Sequence, residues 1–110
     1  NTYSSEKEID LARDRNLQQV EARINSYRTL LKSAEENMAG LQQERERITQ
    51  QKRKIPKSLD EDIGEAQQRI DKFQRDLDQN QQELETVKAR YAADRARYRE
   101  LKGLPPADGQ

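Results

Sequence analysis

Apolar residues recur along this chain in alternating steps of three and four. From Leu17 the count passes through Val20, Ile24, Tyr27, Leu31, Ala34, Met38, Leu41, Arg45, Ile48, Lys52 and Ile55, and only Arg45 and Lys52 break the apolar run. A second count from Leu59 meets Ile63, Ala66, Ile70, Phe73, Leu77, Asn80, Leu84, Val87, Tyr91, Asp94, Tyr98 and Leu101, interrupted only by Asn80 and Asp94. In a chain that is 31% hydrophobic, such regularity is a heptad repeat, the pattern of helices that supercoil against each other. The predicted fold class is all-α: an antiparallel two-helix coiled-coil hairpin, with a helical bundle as its dimeric form.

Local signals set the expected boundaries as a lead-in over 1–5, helix 1 over 6–54, a turn over 55–58, helix 2 over 59–102 and a disordered tail over 103–110. Ser5 and Glu8 have capping-box spacing, as do Ser58 and Glu61. Pro56 disfavours helical geometry at Ile55 and cannot donate to a helical ladder, so it separates the helices. Gly103 supplies a left-handed C-terminal position, Leu104 is placed to fold back on Tyr98, and Pro105 with Pro106 prevents resumption. A helix of this length predicts a rod on the order of 65 Å. Before Leu17 the stripe is poorly written, because Ile9 and Ala12 lie one position out of phase and the strict count falls on Asp10 and Arg13. That end is expected to be loose, or to pack on something else.

Two registers one heptad apart satisfy the stripes. The preferred one pairs Ile48 with Ile63, Leu41 with Ile70, Met38 with Phe73, Ala34 with Leu77, Tyr27 with Leu84 and Ile24 with Val87. It places Glu21 by Lys88, Asp14 by Arg95 and Glu44 by Arg69, against one clash of Arg23 with Arg90. The other register brings Arg28 near Lys88, Arg23 near Arg97 and Glu44 near Asp76.

Composition narrows the function. With 21 basic and 21 acidic residues the formal net charge is zero, which argues against nucleic acid as the main partner. The absence of cysteine and histidine removes disulfides, thiolate and common zinc sites, and the usual nucleophile and base arrangements. No apolar run approaches the roughly 18 to 20 residues of a membrane span, so no membrane insertion is expected. Carboxylates abound, but a two-helix rod offers no pocket for them, so no enzyme activity, catalytic residue, cofactor or metal site is expected. A chain beginning at Asn1 without a signal-like stretch reads as part of a longer protein or as a processed form.

Two surfaces are candidates for partner binding. The turn carries Arg53, Lys54 and Lys57, with Lys52, around Ile55 and Pro56, backed by Asp60, Glu61, Asp62 and Glu65; it would suit an acidic protein partner. On helix 2, Ala89, Ala92, Ala93 and Ala96 make a smooth face on which a second copy could pack, and a homodimer would offset the small apolar burial of one hairpin. Arg45 and Lys52 are expected to lay their stems along the seam, while Asn80 and Asp94 fix register; Asp94 could alternatively serve a contact with a missing domain. Tyr27, Tyr91 and Tyr98 read as core side chains. The arms of periplasmic adaptor proteins of efflux pumps carry a tip motif Arg-x3-Leu-x6-Ser; the same spacing here gives Arg47, Gln51 and Ser58, so the match is partial and lacks the leucine.

Tyr3-Ser4-Ser5-Glu6 leading into Glu8-Ile9-Asp10, the Ile55-Pro56 turn, and Arg97-Tyr98-Arg99-Glu100-Leu101-Lys102-Gly103 together resemble the helical C-terminal region of a bacterial periplasmic family, a domain of unknown function. In that family a signal peptide and a small Trp-containing β domain precede the hairpin. The resemblance implies a periplasmic or envelope location, the alternative being a soluble intracellular one, and it implies no activity. The expected role is a structural or interaction module that spaces or oligomerises an attached domain; the alternative is an adaptor-like or chaperone-like binding arm.

Overall fold

The computed structural model describes residues 3–106 and has two long helices, α1 (Glu6–Gln50) and α2 (Lys57–Leu101). They form an all-α helical hairpin. α1 starts where its cap predicts. Ser5 Oγ accepts the Glu8 backbone N–H at 3.1 Å, and the Glu8 carboxylate accepts from the Ser4 N–H and the Ser4 hydroxyl, each at 3.0 Å. The reciprocal arm of the box therefore closes on the residue before the cap, which secures the lead-in as well.

α1 ends at Gln50, short of the expected residue 54. The cause is Lys52, which adopts a left-handed φ of 57°. Its N–H bonds the Thr49 carbonyl at 2.9 Å and the Arg53 N–H bonds the Ile48 carbonyl at 3.2 Å, the paired closure of a Schellman motif. The same closure ends α2: Gly103 has φ 71°, its N–H reaches the Glu100 carbonyl at 3.2 Å, and the Leu104 N–H reaches that of Arg99 at 2.8 Å. Glycine meets no steric penalty there, whereas a Cβ in this conformation costs roughly 1–2 kcal/mol.

α2 begins at Lys57, two residues ahead of expectation. The Pro56 carbonyl receives the N–H groups of Leu59 and Asp60 at 3.1 and 3.4 Å. That places Ser58 inside the first turn instead of at the cap. Past α2, within the stretch expected to be a disordered tail, Arg99 Nε donates to the Pro105 carbonyl at 2.7 Å. Asn1 and Thr2 of the lead-in and residues 107–110 of the tail lie outside the described residues.

The hairpin comprises two compact units, a turn unit (Ile24–Gln79) and a terminal unit (Asn1–Arg23 with Asn80–Gln110). In the turn unit the buried residues are Ile24, Ala34, Met38 and Ile48 from α1 and Leu59, Ala66 and Leu77 from α2. All lie on the stripes read from the sequence. Lys52 and Ile55 leave the stripe because the chain turns before reaching them. In the terminal unit Ile9, Val20, Val87 and Tyr91 are buried. Ile9, on the end expected to be loose, is only 1% exposed. Ahead of Val20 the inward positions move over to Asn16, Arg13 and Ile9, so a β-branched side chain enters the core where the strict count had put an aspartate. Leu101 is 66% exposed and Leu104 43%, so the last stripe position and the residue expected to fold over Tyr98 both face solvent.

The register in the terminal unit is neither of the two expected: it lies one heptad from the preferred one, on the side opposite the alternative. Arg23 donates from Nε to Asn80 Oδ1 and pairs through Nη2 with Glu83, both at 2.9 Å, instead of crowding Arg90. Arg95 meets Glu6 and Asp10 in place of Asp14. In the turn unit Arg45 pairs with Asp60 at 2.8 Å, and Glu44 takes Arg47 on its own helix, not Arg69. Attraction replaces the one repulsion that counted against the expected alignment.

A Cβ added at Gly40 or Gly64 meets nothing within 4 Å, and both positions are exposed in helix interiors. Gly40→Ala and Gly64→Ala should each stabilise the fold by about 0.5–1 kcal/mol, read as a higher urea midpoint; a lower midpoint would mean that a neighbour approaches these positions in solution.

Candidate functional site

At the turn, Lys52, Arg53, Lys54, Pro56 and Lys57 are exposed and Ile55 is half-buried. Their grouping follows from the turn itself. Left-handed Lys52 reverses the chain, and three of the four cations fall on the six residues between the helix ends, with Lys57 opening α2. Arg53 is braced by its own loop, Nε donating to Gln51 Oε1 at 2.8 Å. Two of the nearby acids have local partners: Asp60 has Arg45 at 2.8 Å and Glu44 has Arg47 at 2.6 Å. The turn between the helices thus holds only positive charges, with the exposed Glu61, Asp62 and Glu65 following in α2. Of the partial adaptor motif, Arg47 is exposed in the last turn of α1 and paired with Glu44, and Ser58 is exposed in the first turn of α2.

In the terminal unit Ala89, Ala92, Ala93 and Ala96 are all exposed. Their spacing places them on one stripe of α2, and the buried Val87 and Tyr91 lie on the opposite side of the helix. The alanines are therefore brought together, as expected, and stand clear of the core.

Between α1 and α2 in this unit lies a polar network that the sequence reading missed. The Glu6 carboxylate accepts from Arg95 Nε at 2.7 Å and from Arg99 Nη1. Asp10 stands 3.5 Å from both Arg13 Nη1 and Arg95 Nη1; its Oδ1 is buried without a hydrogen bond, held by the two guanidinium charges alone. Tyr3 donates its hydroxyl proton to Asp94 at 3.4 Å, which supplies Asp94 with a partner from its own chain. Asn16 donates its amide to the Tyr91 hydroxyl, and the Tyr98 hydroxyl donates to the Ser4 carbonyl at 3.5 Å. Tyr91 is 6% exposed, with the Arg90 guanidinium 4.9 Å from its ring centre, so it is a core side chain. The available signal was the pair of stripe positions filled by Asp10 and Arg13. Charges there call for opposite charges across the seam, and the observed register answers Asp10 with Arg95.

The electrostatics follow the contacts. Hydrogen bonds from Arg95 and then Arg99 hold the Glu6 carboxyl below its ordinary value of 4.5. The Ser4 amide and hydroxyl lower Glu8 likewise. Burial, followed by Tyr91 and Asp94, raises the Tyr3 hydroxyl above 10.0. On α2, the hydrogen bond to Asp76 raises the Lys72 ammonium above 10.5.

Shallow depressions lie among the described residues. One of about 270 Å³ is lined by Tyr3, Tyr98, Leu101 and Lys102, and one of about 500 Å³ by Asn25, Ser26, Thr29 and Leu30 along α1. Both are open to solvent, not enclosed cavities. Among the described residues no helix is long and apolar enough to cross a membrane, and no group of three or more acidic side chains is gathered as a metal site. The chain matches no family model, no curated protein and no solved structure.

A carboxylate lowered on folding adds stability above its unfolded value, near pH 4.5, and that contribution vanishes as pH falls through the lower folded value. Glu6→Gln should therefore reduce the melting temperature at pH 7 and flatten its fall between about pH 5 and 3 relative to the parent. Circular dichroism melts that run parallel for the two proteins across this window would remove Glu6 from the account.

Proposed function

We propose that the chain is a structural or protein-interaction module: an antiparallel coiled-coil hairpin that spaces or oligomerises an attached domain. The observation that carries this reading is the division of its side chains. Every buried hydrophobic residue lies along the inner faces of the two helices, while the alanine stripe and the basic turn stay exposed. Exposed faces of this kind and depressions that stay open to solvent favour assembly over catalysis. Self-association through Ala89, Ala92, Ala93 and Ala96 is the form we favour, since small side chains permit close helix approach and one narrow seam buries little apolar surface against the cost of ordering two 45-residue helices. The family resemblance adds a periplasmic or envelope location.

A second reading, a binding arm for an acidic protein partner, is favoured by the pairing of Asp60 and Glu44 with arginines of α1, which leaves the cations of the turn as the outermost charge.

Sedimentation equilibrium separates the two. The spacer reading expects a dimer at micromolar concentration that Ala93→Glu with Ala96→Glu converts to a helical monomer, while charge reversal at Arg53, Lys54 and Lys57 leaves assembly unchanged. A parent chain that is monomeric at every concentration sinks self-association; the binding-arm reading then requires that the same charge reversals abolish binding to a polyglutamate probe.

A further inference from the structure

The turn unit contains two complete sets of turn signals, and the fold uses one of them. In use are the closure at Lys52 and the Pro56 carbonyl cap of α2. Ser58 with Glu61 is a capping box that would start a helix at Leu59, yet Ser58 already lies inside α2. Lys52 and Ile55 keep the three-and-four phase that runs from Ile48 to Leu59, so an α1 continued through residue 54 would carry the stripe onward. Because the repeat is seven residues, sliding one helix by a heptad sets stripe against stripe again.

The two alignments are closely matched. The observed one has the Arg45–Asp60 pair, which sets Leu41 level with Ile63, but it holds a lysine in left-handed geometry and leaves Ile63, Ile70 and Phe73 only half-buried. The slipped one gives up that pair and, since α1 and α2 are each unbroken, the Arg23–Glu83 and Glu6–Arg95 pairs with it; in exchange it returns Lys52 to helical geometry with its stem along the seam, caps α2 with Ser58, sets Ile48 against Ile63 and Leu41 against Ile70, and brings Glu44 beside Arg69, Glu21 beside Lys88 and Asp14 beside Arg95.

We propose that the turn unit is bistable, moving by one heptad between the observed register and one in which α1 extends to residue 54 and Ser58 caps α2. The step displaces one helix along the other by about 10 Å, two helical turns, about twice the one-turn ratchet of about 5.4 Å found in switching proteins. It also moves Lys52, Arg53 and Lys54 from the turn onto the last turn of α1. An anionic partner that grips them in that arrangement would draw the population towards the slipped state. This goes beyond the spacer reading, which requires only that a hairpin exist.

The chain has no cysteine of its own, so paired substitutions report register directly. In the full chain, Leu41→Cys with Ile63→Cys reads the observed alignment, Leu41→Cys with Ile70→Cys the slipped one, and Leu41→Cys with Gln67→Cys serves as the off-seam control, all scored as intramolecular disulfide in the monomer band at redox equilibrium. The expected result is a dominant 41–63 bridge and a 41–70 bridge above control. Adding Lys52→Gly, which relieves the left-handed strain, should cut the 41–70 yield about fivefold, and Ser58→Ala should cut it similarly. Spin labels at the exposed Gln43→Cys and Gln68→Cys avoid disturbing the core and should give two distance populations, the minor one shrinking with Lys52→Gly. A 41–70 yield no greater than control, or a single distance population indifferent to Lys52→Gly, overturns the proposal.

Discussion

Burial of a single apolar stripe on each helix is the interaction on which everything else rests. The chain is only 31% hydrophobic, and the apolar side chains it does have are concentrated on the two inward faces. Burial of this kind is strong in sum but indifferent to position along a repeat, since one heptad of displacement exchanges leucines for isoleucines and leaves the buried area nearly the same. Selection of one alignment therefore passes to contacts that are individually weak. Arg23 with Asn80 and Glu83, and Arg45 with Asp60, each contribute a few tenths of a kcal/mol at most as exposed pairs. Acting together on otherwise equivalent alternatives, they decide the outcome.

The same logic explains what could be read from the sequence. The phase of both stripes, the Ser5 and Glu8 cap and the Gly103 stop were all legible, because each depends on neighbours within one or two turns. The register was not, because it depends on how far long side chains reach across the seam. Arg23 bridges to Glu83, whereas counting charges at nominal flanking positions placed it beside Arg90. The early end of α1 was invisible for a different reason. A lysine in left-handed geometry leaves no mark in composition or pattern, since glycine and asparagine are the residues that announce such a position.

Within the terminal unit, polar chemistry takes over where the stripe runs out of apolar residues. Glu6, Asp10, Arg13, Arg95 and Arg99 occupy space that leucines fill elsewhere, and guanidinium groups, with several donors in one plane, can each serve two carboxylates. The alanine stripe reached the surface as anticipated, because its position depends only on the phase of α2. The ionic cluster was missed because it is assembled from two stretches far apart in sequence and becomes visible only once the alignment is known.

The distribution of phenol rings has a practical corollary. Of the four tyrosines in a chain without tryptophan, Tyr3, Tyr91 and Tyr98 belong to the terminal unit and Tyr27 alone to the turn unit. Intrinsic emission from this protein is therefore a local gauge weighted three to one towards one unit, and loss of order near the basic loop would pass almost unseen in it while backbone ellipticity recorded the change.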